Sequence, residues 1–179
     1  MRLFISVPIS VELKKEIGEY QQTLRHLPLR LTSLSNLHIT LVFLGEVAHQ
    51  DFPAIENAIQ KTLANFGSRT SKIFLIPLGF EPGPKKRFPG LIWLSFKPSE
   101  VLATLQTRLA WAFKKVGERQ FTPHVTVARV IHNGKLNPDS VPSKKISQAL
   151  SFAPKEIHLM ASALKRGGAE YTTLKTFPL

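Results

Sequence analysis

The pentapeptide LHITL at residues 37–41 recurs as PHVTV at residues 123–127, 86 positions further along a chain of 179 residues. Each copy has the aliphatic, β-branched composition of a strand, and each follows a segment with the apolar spacing of a helix. A repeat at about half the chain length is expected when two related halves of a fold face each other. We therefore predict two pseudo-symmetric lobes, each contributing one His-x-Thr strand.

The repeated motif brings together groups that are suited to acid–base chemistry. Successive side chains of a strand point to opposite faces, so His38 and Thr40 share one face, while Ile39, Leu41 and Phe43 are expected on the other. The second copy repeats this arrangement. Since an imidazole titrates near pH 6.5, one histidine can accept a proton while the other donates one. The two hydroxyls are suited to donate hydrogen bonds to a phosphate.

The remaining pattern predicts an α+β order, β-α-β-α-β-β-α-β-(α)-β-β, with helices packed on antiparallel sheet. Strands are expected at residues 3–7, 37–44, 72–80, 91–96, 121–130, 156–164 and 171–177. Helices are expected from an N-cap at Ser10 to residue 25, at 52–67, and from Ser99 to residue 113, with a short one near 145–150. No linker or low-complexity stretch divides the chain, so we expect residues 1–179 to form a single bilobal domain.

The composition excludes several classes of protein. The chain has a net charge of +12, 43% hydrophobic residues and no cysteine. The absence of cysteine excludes a disulfide framework, a thiolate metal site and a cysteine nucleophile. No apolar run approaches the roughly 18 residues of a membrane span, and the N-terminal segment is too quickly polar for a signal peptide. We expect a soluble, cytoplasmic protein with a polyanionic partner, nucleic acid first.

The positive charge is concentrated in the later two thirds of the chain. Residues 1–60 hold 5 basic and 6 acidic side chains, so the whole excess lies beyond them. Lys85, Lys86 and Arg87 stand in a Pro/Gly-rich loop between two apolar runs, and such loops often carry binding residues. We predict that these three contact an anionic ligand. Most other lysines are equally well explained as solvated surface groups.

The other histidines show no comparable pairing. They are His26, His49, His132 and His158. Neither His-x-Thr motif has a nearby carboxylate or a second histidine at the spacing of metal ligands. We therefore predict no metal site and no cofactor.

At these residues the sequence resembles the 2H phosphoesterase superfamily, which is named for two His-x-Thr/Ser motifs. Within it, the chain is similar to the RNA 2′,3′-cyclic phosphodiesterases, formerly called 2′-5′ RNA ligases. The resemblance extends along the whole chain. It includes RLFISV, NLHITLVFLGE, LIWL, FTPHVTVAR, SAL and FPL at residues 2–7, 36–46, 91–94, 121–129, 162–164 and 177–179.

The resemblance implies a bilobal α+β fold with two pseudo-symmetric antiparallel-sheet lobes, helices packed outside and a central cleft. It implies metal-independent hydrolysis of an RNA 2′,3′-cyclic phosphate end to a 2′-phosphomonoester. We expect a monomer without cofactors. By analogy, His38 is the proton donor to the leaving 3′-oxygen and His124 the proton acceptor from water. The sequence leaves open which histidine has which role. Thr40 and Thr126 would hold the phosphate.

The family also has an arginine shortly after the second motif, which corresponds to Arg129. Strict alternation places Arg129 on the face away from His124, so either the strand bulges near Ala128 or the side chain wraps round the strand end. A surface salt bridge is the alternative. Phe4 and Tyr171 are candidates for stacking on an RNA base, with packing in the protein as an equal alternative.

Three other functions remain open. One is 2′-5′ RNA ligation, which is the same displacement with a different nucleophile, and another is hydrolysis of a small cyclic nucleotide. The third is a non-catalytic module that binds RNA ends. The charge of +12 favours RNA over a small substrate. Two titratable imidazoles argue against a module that only binds.

Overall fold

The strands of the protein lie in one antiparallel sheet. The computed structural model describes residues 1–67, 72–84, 89–117, 120–131, 134–165 and 168–179. Nine strands occur in these ranges: β1 (Arg2–Pro8), β2 (Leu29–Leu31), β3 (His38–Glu46), β4 (Pro77–Gly83), β5 (Leu91–Phe96), β6 (His124–Val130), β7 (Lys144–Lys145), β8 (Glu156–Lys165) and β9 (Gly168–Pro178). Their spatial order is β7-β4-β5-β6-β3-β1-β8-β9, and β2 pairs with β6.

The sheet has two halves that meet between the two motif strands. One half, β3-β1-β8-β9, comes from the ends of the chain, and the other, β6-β5-β4-β7, comes from its middle. At the junction, Ile39 of β3 lies opposite Val125 of β6. Both residues are fully buried. The alternation that places these two in the core therefore directs both His-x-Thr pairs to the opposite face of the sheet.

Three helices occur in the described ranges: α1 (Val11–Thr23), α2 (Phe52–Gly67) and α3 (Glu100–Ala112). Two of them begin as predicted, because Ser10 Oγ accepts a hydrogen bond from Leu13 N and Ser99 Oγ accepts one from Leu102 N. These caps satisfy amide groups that have no partner in the first turn. No helix in the described ranges is long and apolar enough to cross a membrane.

The helices pack on the core face and connect the halves of the sheet. Tyr20 of α1 stacks on Phe80 of β4, with ring centroids 3.7 Å apart, so the helix that follows β1 packs against the other half. Gln106 of α3 donates a hydrogen bond to Leu41 O of β3, in the half of the sheet that comes from the ends of the chain. With the helices on this face, the face that carries both His-x-Thr pairs is left without them.

Several elements differ from the sequence prediction. Strands β2 and β7 were not expected, since three and two residues are too few to show an alternating pattern. Of residues 72–76, expected as strand, only Leu75 makes a bridge, to Phe152, and β4 begins at Pro77. The short helix expected near 145–150 is a 3-10 turn at Gln148–Leu150.

Candidate active site

Strand β6 contains an irregularity that changes where Arg129 points. Consecutive residues of β5 pair with Thr126 and Ala128, so Val127 has no partner on that strand. Val127 and Ala128 are both fully buried, which breaks the alternation. Beyond this β-bulge, Arg129 lies on the same face as His124. Of the alternatives predicted for Arg129, the structure shows the bulge near Ala128.

Strand β3 contains the matching irregularity at the same distance from its histidine. Consecutive residues of β1 pair with Thr40 and Val42, which leaves Leu41 without a partner there. Phe43 is consequently 69% exposed and lies on the face that carries His38. The prediction that Phe43 points toward the core was wrong, because it assumed strict alternation. The two halves of the sheet thus repeat the motif and also the bulge that follows it.

A glutamine side chain binds the carbonyl group of each bulge. Gln21 of α1, only 5% exposed, donates from Nε2 to Val127 O at 3.0 Å and to Thr32 O at 2.7 Å. Gln106 of α3 donates to Leu41 O at 3.4 Å. Each bulge therefore has a hydrogen-bond donor from a helix on the core face. We infer that Gln21 is a positioning residue that acts through Val127 on the direction of the arginine.

Replacing Gln21 by Leu is expected to lower both stability and turnover. Thr32 O loses its side-chain donor, whereas Val127 O keeps the bond from Thr32 N, so we expect a cost of about 1–3 kcal/mol for the carbonyl group left unsatisfied. The strand after Val127 also becomes free to shift, so we expect kcat to fall about tenfold, as displacement of a positioned group does. Thermal unfolding and steady-state kinetics measure the two effects. The exposed Gln22→Leu is the control, and a loss of stability with unchanged kcat would contradict the positioning role.

The two histidines have the same backbone partner. His38 Nδ1 lies 2.7 Å from Asn36 O, and His124 Nδ1 lies 2.8 Å from Thr122 O. In each case the carbonyl belongs to the residue two positions earlier, and it fixes the neutral tautomer with the proton on Nδ1. Nε2 is then the basic atom. His38 Nε2 is 3.0 Å from Thr40 Oγ1.

The register of the junction brings the motifs together. Their central aliphatic residues lie opposite each other in an antiparallel pair. Counting one residue along each strand from this pair places His38 across from Thr126 and Thr40 across from His124. The two imidazoles and two hydroxyls therefore occupy one region of the sheet, with opposite order on the two strands.

Two aromatic rings pack against His38. The ring of His38 lies 4.9 Å from that of Phe4 and 5.3 Å from that of Tyr171. Phe4 is only 2% exposed, and its ring also contacts Tyr171 at 5.0 Å and Phe43 at 6.1 Å. Such burial favours the packing alternative for Phe4, since little of its ring is open to a base. Tyr171 is partly exposed beside His38.

The second histidine packs on Trp93 of β5, with ring centroids 4.4 Å apart. Sequence reasoning did not single out Trp93, because its place beside His124 depends on strand register alone. The indole also lies against the backbone of Gly83: a Cβ atom there would be 2.5 Å from the ring. The close approach requires glycine at this position.

We expect Gly83→Ala to lower kcat about tenfold while the protein stays folded. The added methyl group would displace Trp93, and with it the surface that orients His124, and small displacements of catalytic groups are costly. Steady-state kinetics and the Trp fluorescence spectrum measure both effects. Gly90→Ala is a matched control, because a Cβ atom at Gly90 meets nothing within 4 Å. Equal kcat in the two variants would contradict this role for Trp93.

Burial and positive charge both disfavour protonation of the histidines. Burial is the main cause that lowers the pKa of His38 to about 4, against the raising effect of the Asn36 carbonyl; Arg129 and His124 lower it further. The pKa of His124 is lowered mainly by burial and also by Arg129, while the Thr122 carbonyl acts in the opposite direction. In the part of the chain that the structure describes, no ion pair involves Arg129.

The other predicted residues lie elsewhere. Lys85, Lys86 and Arg87 are outside the described residues, so their contact with an anion stays a prediction. His158 pairs with Glu156 at 2.7 Å. Across the ranges described above, no group of three or more His, Cys, Asp or Glu residues could hold a metal ion.

Comparison with known proteins gives a consistent result. The family described as the 2′-5′ RNA ligase superfamily matches residues 9–166. A Methanothermobacter thermautotrophicus protein named RNA 2′,3′-cyclic phosphodiesterase is 30% identical over 188 residues, covering 100% of this chain and 99% of its own. An Escherichia coli protein of the same name is 28% identical, covering 99% of this chain and 96% of its own.

Solved structures are similar over the same length. A Thermus thermophilus protein has a TM-score of 0.82 at 26% identity, covering 100% of this chain and 98% of that one. Escherichia coli LigT, solved with 3′-AMP, has a TM-score of 0.76 at 25% identity, covering 99% and 97%. These similarities confirm the predicted α+β fold.

Proposed function

The chain belongs to the 2′-5′ RNA ligase superfamily, and we propose that it hydrolyses RNA 2′,3′-cyclic phosphate ends to 2′-phosphomonoesters. The relatives named RNA 2′,3′-cyclic phosphodiesterase support this activity and RNA as the partner. The observation that carries the proposal is the pair of histidines, each with Nδ1 against a carbonyl group, so that Nε2 is the atom that exchanges a proton; His38 Nε2 lies against the hydroxyl of Thr40. Two such groups in one site are what acid–base catalysis requires.

The residues around the histidines suit a phosphate. In the proposed complex the cyclic phosphate lies between the two motifs, and the hydroxyls of Thr40 and Thr126 donate to its non-bridging oxygens. Arg129 supplies positive charge on the same face, and its guanidinium stabilises the charge that develops on those oxygens. Nothing in this scheme requires a metal ion.

The proposed reaction has one bond formed and one broken. His124 Nε2 removes a proton from water, and the water oxygen attacks phosphorus. The bond between phosphorus and the 3′-oxygen breaks, and His38 Nε2 gives a proton to that oxygen. The products are a 3′-hydroxyl and a 2′-phosphate. The reaction leaves His124 protonated and His38 neutral, and exchange with solvent restores the starting state.

The direction of the reaction depends on the nucleophile. A 5′-hydroxyl of a second RNA in place of water would give a 2′-5′ linkage at the same site. Water is present at far higher concentration than any RNA end, so we propose hydrolysis as the main activity. We further propose that residues 1–179 act as one bilobal domain and as a monomer, because both motifs belong to one chain and one sheet. The cytoplasmic location stays a prediction.

A competition experiment distinguishes these activities. The protein is incubated with a short RNA that ends in a 2′,3′-cyclic phosphate and with a second RNA that has a 5′-hydroxyl. Gel separation is expected to show phosphomonoester ends and little ligated RNA. Ligated RNA as the main product would favour the ligase alternative. Salt-dependent RNA binding without either product would favour a module that only binds.

The pH dependence follows from the lowered histidine pKa values. The free enzyme needs one imidazolium and one neutral imidazole, and burial lowers the pKa of both below the usual 6.5. We therefore expect kcat/KM to peak below pH 6.5 and to fall at higher pH as the proton donor is lost. A bound anionic phosphate stabilises the imidazolium. The decrease of kcat on the alkaline side of its pH profile is therefore expected at higher pH than the decrease of kcat/KM. Measuring kcat and kcat/KM as functions of pH tests this expectation. If both decreased at the same pH, above pH 7, the expectation would be contradicted.

A further inference from the structure

Strand β2 places a second arginine beside the first. Arg30 lies directly opposite Arg129 in the antiparallel pair of β2 with β6. Side chains opposite each other in such a pair are on the same face of the sheet. The neighbours Leu29 and Leu31 pack against the core, whereas Arg30 is exposed. Arg30 therefore projects from the face that carries the histidines.

The two arginines have no acidic partner in the described ranges. None of the ion pairs found there involves Arg30 or Arg129. Like charges directly opposite each other across two strands destabilise a sheet by some tenths of a kcal/mol up to about 1 kcal/mol. A pair of guanidinium groups without a carboxylate is suited to an anionic ligand that contacts both.

Arg30 lies beside the hairpin that joins β8 and β9. Its side chain runs toward the β8–β9 hairpin, where a Cβ atom at Gly168 would be 3.8 Å from Arg30 Nε. Asn36 Nδ2 donates to Ala169 O at 2.7 Å and ties this hairpin to the segment before β3. The charge that lowers the pKa of both histidines is that of Arg129, not that of Arg30.

We propose that Arg30 binds the phosphodiester that joins the terminal nucleoside to the rest of the RNA. The proposal rests on the function proposed above, in which the terminal cyclic phosphate lies between the two motifs. Adjacent strands are about 4.8 Å apart, and β2 pairs with the edge of β6 that also pairs with β3, so Arg30 extends the positive charge from Arg129 along that edge. A second guanidinium beside the one proposed to contact the reacting phosphate is suited to the next phosphate along the chain. The site therefore distinguishes an RNA end from a mononucleoside cyclic phosphate.

The test compares substrates that differ only in the second phosphate. They are a nucleoside 2′,3′-cyclic phosphate, the same compound with a 5′-phosphate, and a dinucleotide ending in a 2′,3′-cyclic phosphate. For Arg30→Ala we expect the ratio of kcat/KM, dinucleotide over nucleoside, to fall about tenfold, mainly through KM. The 5′-phosphate compound distinguishes a bridging phosphodiester from any second phosphate group. Arg30→Lys should restore part of the ratio.

The controls separate this proposal from the proposed function. Arg25→Ala removes an exposed arginine just after the helix on the opposite face, and its ratio should match the wild type. Arg30→Ala should also have an unchanged or higher melting temperature, because the repulsion between the two arginines is removed. An unchanged ratio, or equal loss on all substrates, overturns the proposal.

Turnover is not needed for the second measurement. Titration calorimetry with a dinucleotide 2′-phosphate and with a nucleoside 2′-phosphate measures the same preference at equilibrium. Arg30→Ala is expected to weaken binding of the dinucleotide about tenfold more than binding of the nucleoside. Equal weakening overturns the role of Arg30. If the wild-type protein hydrolyses no substrate but shows this preference, the proposed function fails and the role of Arg30 stands.

Discussion

Replacing either His38 or His124 by Ala is expected to reduce kcat by a factor of about 10² to 10⁴, the usual contribution of a positioned acid or base. The double variant is expected to lose little more than the worse single variant, because the two groups act in one concerted step. Both side chains lie on the face away from the helices, so truncation leaves the core intact. The melting temperature should therefore change little.

A histidine elsewhere on the sheet is the matched control for these variants. His158 of β8 forms a hydrogen bond with Glu156, outside the two motifs. His158→Ala is expected to retain wild-type turnover. Stopped-assay kinetics on an RNA with a cyclic end and thermal unfolding provide both readouts. Turnover within tenfold of the wild type in a folded His124→Ala protein would contradict its role as proton acceptor.

Arg129→Ala is expected to lower kcat by about 10² to 10³, as loss of one charge-stabilising donor does. The loss arises because the β6 bulge directs this guanidinium to the face of the histidines. The same substitution removes a charge that lowers the pKa of His38 and His124. The pH optimum of kcat/KM should consequently move to higher pH.

The two readouts together distinguish catalysis from a structural role. Arg129→Lys keeps the charge without the bidentate geometry, so it should recover part of the rate and most of the pH profile. A variant that is merely misfolded would lose activity without a shift of the pH optimum. Undiminished kcat with an unshifted profile in Arg129→Ala would show that the arginine does not act on the reacting phosphate.

Much of the fold was predictable because its signals are local. The strand composition around His38 and His124, and the serine caps of α1 and α3, depend on neighbouring residues only. The half-length repeat predicted two related halves. The whole-chain resemblance predicted the family, which the comparisons confirm.

The features that shape the site depend on contacts between distant segments. The bulges after Thr40 and Thr126 arise from the register with neighbouring strands, so strict alternation placed Phe43 on the wrong face. The place of Trp93 beside His124 depends on the same kind of register. Strand β2 is defined only by its partner, so Arg30 had no recognisable signal. Pairing across β2 and β6, rather than local pattern, brings the arginines together.

The most direct test measures the product formed from one RNA with a 2′,3′-cyclic phosphate end, in the presence of EDTA. The position of the phosphate is determined by ³¹P NMR for the wild-type protein and for the His38→Ala, His124→Ala double variant. We predict that the wild-type protein gives the 2′-phosphate at an undiminished rate and that the double variant gives no product above background. A 3′-phosphate product, loss of activity in EDTA, or full turnover by the double variant would contradict metal-independent catalysis by the two histidines.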